Sequence, residues 1–292
     1  MTLSEPLLRW QRRGAMLRVQ DLDIFAVSEG RGPTVLLLHG FPTSSYDYAE
    51  LLPALSASRR VVMVDLPGFG LSSKPRDYSY SLLAQTDVLV EALRQLEVRE
   101  AHVVAHDMGT SIACELLARR AESSLPLTLR SLTLMNGSVY QDMAHLTPSQ
   151  RLLRRPLLGP VFARLSSRTA FRLQFRKLFA HPDAVPDAEL DRLWELLAYD
   201  DGKLRLPQVV GYMKERMQRA ERWHTPLRRL DLPALILWGR RDPVAVFAIA
   251  ERLAREIPGS RLLTLDELGH YPQLEDPARI ARELAAFVDA VP

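Results

Sequence analysis

The sequence predicts an α/β fold, with a mostly parallel central sheet flanked by helices and a helical insert after the sixth strand. Three observations predict it. Residues 34–38 and 60–64 are short runs apolar on both faces, as parallel strands covered on both sides by helices require. Residues 101–105 run through a tight turn of small residues directly into a helical stretch, 110–117. From Gly137 to about Leu230 the strand–helix alternation stops, and only amphipathic segments remain.

Each element has its own signal. Residues 16–29 alternate and suggest an N-terminal antiparallel pair of strands. The strand 34–38 ends in His39-Gly40-Phe41-Pro42, and the strand 60–64 ends in Asp65-Leu66-Pro67-Gly68-Phe69-Gly70. Residues 80–96 have helical periodicity, and 129–135 form another apolar strand. Inside the insert, 150–165, 170–179, 188–198 and 208–223 read as amphipathic helices. The alternation resumes with the strand 234–239, a helix at 246–257, the strand 261–265 and a terminal helix at 277–288. The expected organisation is a core of residues 1–136 and 231–292 with a helical cap at 137–230.

Composition narrows the function classes. With 292 residues, 47% hydrophobic and 25% charged, the chain has the make-up of a globular protein with a sizeable core. A net charge of +3 argues for neither a nucleic-acid nor a membrane partner. Most of the positive charge lies in the insert, where residues 151–230 hold 17 Lys or Arg against 9 Asp or Glu. On helices this reads first as a solvated face and second as attraction of an acidic partner. The single Cys114 rules out an internal disulfide and fits a reducing compartment; its apolar helix predicts burial. Residues 1–13 lack signal-peptide character, and no apolar run approaches the roughly 20 residues of a membrane span. The expectation is a cytoplasmic monomer or homodimer. The seven histidines are dispersed, so neither a metal nor a cofactor is expected.

The chemistry centres on Ala105-His106-Asp107-Met108-Gly109. Strand, sharp turn with small residues two before and two after its centre, then helix, is the pattern of a nucleophile elbow. The central residue is Asp107 where a serine hydrolase carries Ser. A carboxylate needs no activating base, and its natural work is attack on an electrophilic sp3 carbon, giving an alkyl ester that water must cleave. A buried structural Asp or a helix N-cap is the competing reading. Two further residues at strand ends argue against it: Asp242, after the strand 234–239, and His270, after the strand 261–265. His270 would act as general base on water, with Asp242 orienting it and stabilising its imidazolium. The backbone N–H groups of Phe41 and Met108 would form an oxyanion hole for ester hydrolysis.

These motifs resemble the α/β-hydrolase superfamily over essentially the whole chain, and within it the aspartate-nucleophile branch of epoxide hydrolases and haloalkane dehalogenases. The carrying residues are His39 to Ser45, Asp65 to Ser72, His106-Asp107-Met108-Gly109, Gly239 to Pro243 and Gly269-His270-Tyr271-Pro272. His39 to Tyr46, Asn136-Gly137, Arg222-Trp223, Asp242-Pro243-Val244 and His270 to Pro277 are similar to the mesoderm-specific transcript proteins and their bacterial relatives.

The resemblance implies two chemistries. Dehalogenases of the branch hold the departing halide with a Trp after the nucleophile, helped by an Asn after the His-Gly or by a cap Trp; here Met108 and Phe41 stand at the first two positions. Trp194, Trp223 and Trp238 read first as core. Epoxide hydrolases protonate the departing alkoxide with cap tyrosines, and a phenol donates strongly while neutral at physiological pH. Tyr212 is the expected acid, Tyr140 its partner, and Tyr199 a further cap tyrosine. His39, Pro42, His106 and Trp223 are expected to line the pocket of a small hydrophobic substrate. Epoxide hydrolysis is the favoured reading. Dehalogenation, a β-lactone decarboxylase-like reaction, and a non-catalytic protein of the same fold follow in that order.

Overall fold

The computed structural model describes residues 3–291. Its strands are β1 (Gly14–Val19), β2 (Leu22–Glu29), β3 (Thr34–Leu38), β4 (Arg60–Val64), β5 (Glu100–His106), β6 (Thr128–Met135), β7 (Ala234–Gly239) and β8 (Arg261–Leu265). They form one sheet in the order β1-β2-β4-β3-β5-β6-β7-β8. The first two are antiparallel to each other, and β2 is antiparallel to β4; every pairing from β4 to β8 is parallel. The doubly apolar runs read from the sequence are these central strands. Helices cover both faces, so Leu36, Val62 and Val103 feed one buried cluster while Leu37, Met63 and Val104 feed another. That is the period-two alternation of a strand buried on both sides.

The parallel arrangement brings the carboxyl ends of β3, β5, β7 and β8 to one edge, and the loops there carry Phe41, Asp107, Asp242 and His270. Between β6 and β7 the chain leaves the sheet and builds a helical insert, called the cap below, whose main helices are Pro148–Leu153, Leu158–Leu165, Arg168–Phe175, Asp187–Ala198, Tyr212–Gln218 and Ala220–Arg228.

Three local details differ from the sequence expectation. Residues 150–165 form two helices rather than one, because Pro156 denies the turn a backbone N–H and disfavours helix at Arg155. Residues 208–223 divide similarly, with breaks at Gly211 and Arg219. An N-terminal helix, Glu5–Arg13, is not among the expected elements, although its short charged stretch is amphipathic. It is held by Leu7 and Trp10, one turn apart, with Trp10 packing on Phe25 and edge-on against Tyr46.

The cap is tied to the core through the elbow helix, Gly109–Ala121. Glu115 of this helix is 1% exposed. It accepts two hydrogen bonds from Arg222, at 2.8 and 2.9 Å, and one from Trp223 Nε1 at 2.9 Å. Arg119 adds another at 2.9 Å from within the helix. Glu115→Ala should lower stability by about 2–3 kcal/mol by stripping these donors of their acceptor. A urea unfolding midpoint equal to that of the parent would show that the seam does not depend on this carboxylate.

Candidate active site

β5 ends by forcing Asp107 into a left-handed backbone, with φ at 47°. A non-glycine residue takes this conformation at a cost of about 1 kcal/mol or more, and here it aims the side chain out of the sheet edge. The turn also needs bare neighbours. A Cβ on Gly40 would lie 2.4 Å from Asp107 Cβ, and one on Gly109 would lie 2.6 Å from the Leu38 carbonyl.

The carboxylate so placed is held from one side. The Phe41 N–H donates to Asp107 Oδ1 at 2.7 Å, while Oδ2 lies 3.8 Å from His270 Nε2. On the other side of the imidazole, His270 Nδ1 meets Asp242 Oδ2 at 2.7 Å. Asp242 is fixed in turn. Its Oδ1 accepts the N–H groups of Val244 and Ala245 at 2.7 and 2.9 Å, and Oδ2 also accepts from Asn136 Nδ2 at 2.8 Å. Asn136 itself takes the Gly239 N–H at 2.9 Å, so the ends of β6 and β7 are locked around the acid.

All three side chains are buried, which makes their mutual charges count. Burial alone would lower the His270 pKa, but the charge and hydrogen bond of Asp242, joined by the charge of Asp107, outweigh it and raise the pKa above its ordinary 6.5. His106 goes the other way. Burial, then the neighbouring His270 charge, pushes it down to about 3, so it stays neutral. The arrangement offers a carboxylate with one oxygen held and one open, beside an imidazole backed by a second carboxylate.

Comparison with known proteins identifies the family. A family model described as alpha/beta hydrolase fold matches residues 33–277. The chain belongs to the α/β-hydrolase family. It is 41% identical over 291 residues to the putative hydrolase LipZ of Mycobacterium tuberculosis, covering 98% of this chain and 100% of that one. It is 32% identical to the mesoderm-specific transcript homolog protein of Bos taurus, covering 99% of this chain and 89% of the relative. Among solved structures, the haloalkane dehalogenase DbeA from Bradyrhizobium elkani superposes with a TM-score of 0.80 at 25% identity, covering 94% of this chain and 97% of that one.

Within this α/β-hydrolase the sequence-derived site residues separate into groups. Asp107, His270 and Asp242 converge, joined by the Phe41 N–H. Met108, the second expected oxyanion donor, starts the elbow helix with its side chain in the core. Tyr212 lies over the site, its ring 5.7 Å from Phe41; burial, then the charge of Asp107, raises its pKa. Pro42 is partly buried in the turn that carries the Phe41 N–H.

Four expectations require correction. The Tyr140 hydroxyl donates to Glu256 Oε2 at 2.8 Å, and its ring packs on His224 with Arg252 3.8 Å from its centroid, so it serves the cap base rather than the site. Trp223 spends its N–H on Glu115 and belongs to the cap–core seam. His39 is fully buried, with Nε2 accepting the Leu66 N–H at 3.1 Å and Nδ1 3.0 Å from the Gly40 carbonyl; it shapes the loop instead of lining a pocket. His106 is also fully enclosed, with Nε2 2.7 Å from the His270 carbonyl and Nδ1 3.2 Å from Gln273 Nε2. It positions the His270 loop.

Several residues that matter to the site had no role assigned from sequence. Arg216, 3% exposed, reaches from the cap to the elbow. It donates to the Asp107 carbonyl at 3.0 Å and to Ser111 Oγ at 2.6 Å, with its guanidinium 4.7 Å from the Tyr212 ring centroid. The Tyr271 hydroxyl donates to the Phe41 carbonyl at 3.2 Å, bracing the loop whose N–H holds Asp107. Glu275 accepts the N–H groups of Ala180 in the cap and Gly269 in the histidine loop, at 2.8 and 2.9 Å. Only the i to i+4 spacing of Tyr212 and Arg216 on one helix face could have hinted at the first of these.

A direct check follows from the electrostatics. A raised pKa means that His270 holds its proton to higher pH, and the neutral base appears only as pH rises through that value. Imidazole titration by NMR should place His270 above 6.5. Asp242→Asn removes the charge that opposes desolvation and should shift the midpoint down by about one unit or more. An unchanged midpoint would remove Asp242 from the role of orienting acid.

Proposed function

We propose that this hydrolase opens epoxides to vicinal diols through an alkyl-ester intermediate on Asp107. The observation that carries the reading is the split environment of that carboxylate: Oδ1 on the Phe41 N–H, Oδ2 open toward His270, and Tyr212 reaching over from the cap. Asp107 Oδ2 attacks a ring carbon, the carbon–oxygen bond breaks, and the departing alkoxide takes the Tyr212 phenolic proton. His270 then removes a proton from water, and the hydroxide adds to the ester carbonyl. The charge that develops on Oδ1 falls on the Phe41 N–H, paired with that of Met108. Collapse frees the diol and restores the carboxylate. The proton on His270 returns to the Tyr212 phenolate, so one epoxide and one water are consumed per diol.

Dehalogenation is the second reading, favoured by the likeness to DbeA. Its requirement for halide-facing N–H groups is poorly met here. Trp223 donates to Glu115, and Trp238 donates to the Ala245 carbonyl at 2.9 Å. Trp194 packs against Phe171, with Lys203 over its ring.

Asp107→Ala should abolish turnover and leave the fold intact; retained epoxide hydrolysis would exclude it as nucleophile. His270→Gln should alkylate without turning over, and intact-mass spectrometry after incubation with mixed epoxides and haloalkanes then separates the two chemistries. Gain of the whole epoxide mass supports the proposal, while gain of an alkyl group alone shifts the assignment to dehalogenation. Tyr212→Phe should slow ring opening by about 10²-fold or more. A rate equal to that of the parent would reassign the acid.

A further inference from the structure

The cap carries a surface that the active site does not explain. Helix Leu158–Leu165 turns its small residues inward: Gly159 and Ala163, one turn apart, are buried. The approach at Gly159 is close, since a Cβ there would lie 2.3 Å from the Leu153 carbonyl. Apart from Phe162, which packs against the core, its large apolar residues face water. Leu157 is 85% exposed, Leu165 76%, and Leu158 and Val161 each more than half, with Leu173 of the next helix also exposed. Leu158, Val161 and Leu165 follow i, i+3, i+7 spacing, so they form one stripe. The stripe is firmly mounted, because Lys203 donates to the carbonyls of Arg164 and Ser166 at 3.0 Å each, fastening the end of the helix to the rest of the cap.

Charge says what such a stripe fits. Residues 143–182 contain seven Arg and one Lys but no Asp or Glu. Arg151, Arg154, Arg155 and Arg164 flank the stripe, are exposed, and make no ion pair among the described residues. A second copy packed here about a two-fold axis would set these arginines against their own equivalents with no acid to neutralise them. An anionic lipid surface supplies both complements at once, headgroup charge for the arginines and acyl chains for the leucines.

We propose that the cap docks on anionic lipid bilayers through Leu157, Leu158, Val161 and Leu165, with Arg151, Arg154, Arg155 and Arg164 on the headgroups. A net charge of +3 over the whole chain is compatible with such a face, because the positive charge is gathered locally in the insert.

Co-flotation of the full chain with vesicles tests this directly. Phosphatidylcholine vesicles are compared with vesicles containing about a quarter phosphatidylglycerol. The parent should bind the anionic vesicles about tenfold or more better than the neutral ones and be released by molar salt. The variant Leu158→Ser/Val161→Ser/Leu165→Ser should lose binding to the anionic vesicles, as should Arg151→Gln/Arg154→Gln/Arg155→Gln. Every substituted side chain is solvent-facing or half-exposed, so circular dichroism should match the parent. Equal partition of the parent into neutral and anionic vesicles, or undiminished binding by both variants, would overturn the proposal. So would a dimer in solution that ignores vesicles and dissociates in the Leu158→Ser/Val161→Ser/Leu165→Ser variant, which would make this face a contact between copies.

Discussion

The rest of the site depends on a single strained turn. Asp107 sits at positive φ between Gly40 on the neighbouring loop and Gly109 at the start of the helix, and neither neighbour has room for a side-chain carbon. The strain persists because the surroundings over-determine it. β5 is paired on both sides, by β3 and β6, and the helix Gly109–Ala121 packs back against the sheet behind the turn. Given that turn, the Phe41 N–H meets one carboxylate oxygen and leaves the other open. Without it, the same carboxylate would be an ordinary residue at the end of a strand.

Around this point the protein arranges buried charge so that each ionised group has partners. Asp242 accepts from two backbone N–H groups, from Asn136 and from His270. A buried carboxylate without them would carry an uncompensated desolvation cost. The neutral His106 supports the His270 loop without adding a second positive charge beside it. These three residues therefore rest on a hydrogen-bonded polar shell.

The cap belongs to that shell. Leu178 accepts the His270 N–H at 2.8 Å, Glu275 ties Ala180 to Gly269, and Arg216 reaches the carbonyl of Asp107. With Glu115 holding Arg222 and Trp223, the insert is joined to both the helix that follows Asp107 and the His270 loop. A cap joined in this way can fix the Tyr212 ring over Phe41, and a shift of the cap would be felt at His270. The outer side of the same insert presents its leucines and arginines to the surroundings, so one segment serves two unlike surfaces.

The sequence by itself determined the sheet, the insert and the three residues at strand ends. Each rests on a local signal: doubly apolar runs for β3 and β4, small residues around Asp107, and Asp242 and His270 just beyond strands. Only the tertiary structure decided how the polar side chains are spent. Nothing in the chain order says that Tyr140 would give its hydroxyl to Glu256, Trp223 its N–H to Glu115, His39 its Nε2 to the Leu66 N–H, or His106 its Nε2 to the His270 loop. The same holds for Arg216, and for a helix that buries Gly159 and Ala163 while exposing Leu157 and Leu165. The physical reason is range. Backbone preference and apolar periodicity act over a few residues, whereas a buried polar group can be paired at any separation along the chain, by whichever partner packing brings within about 3 Å.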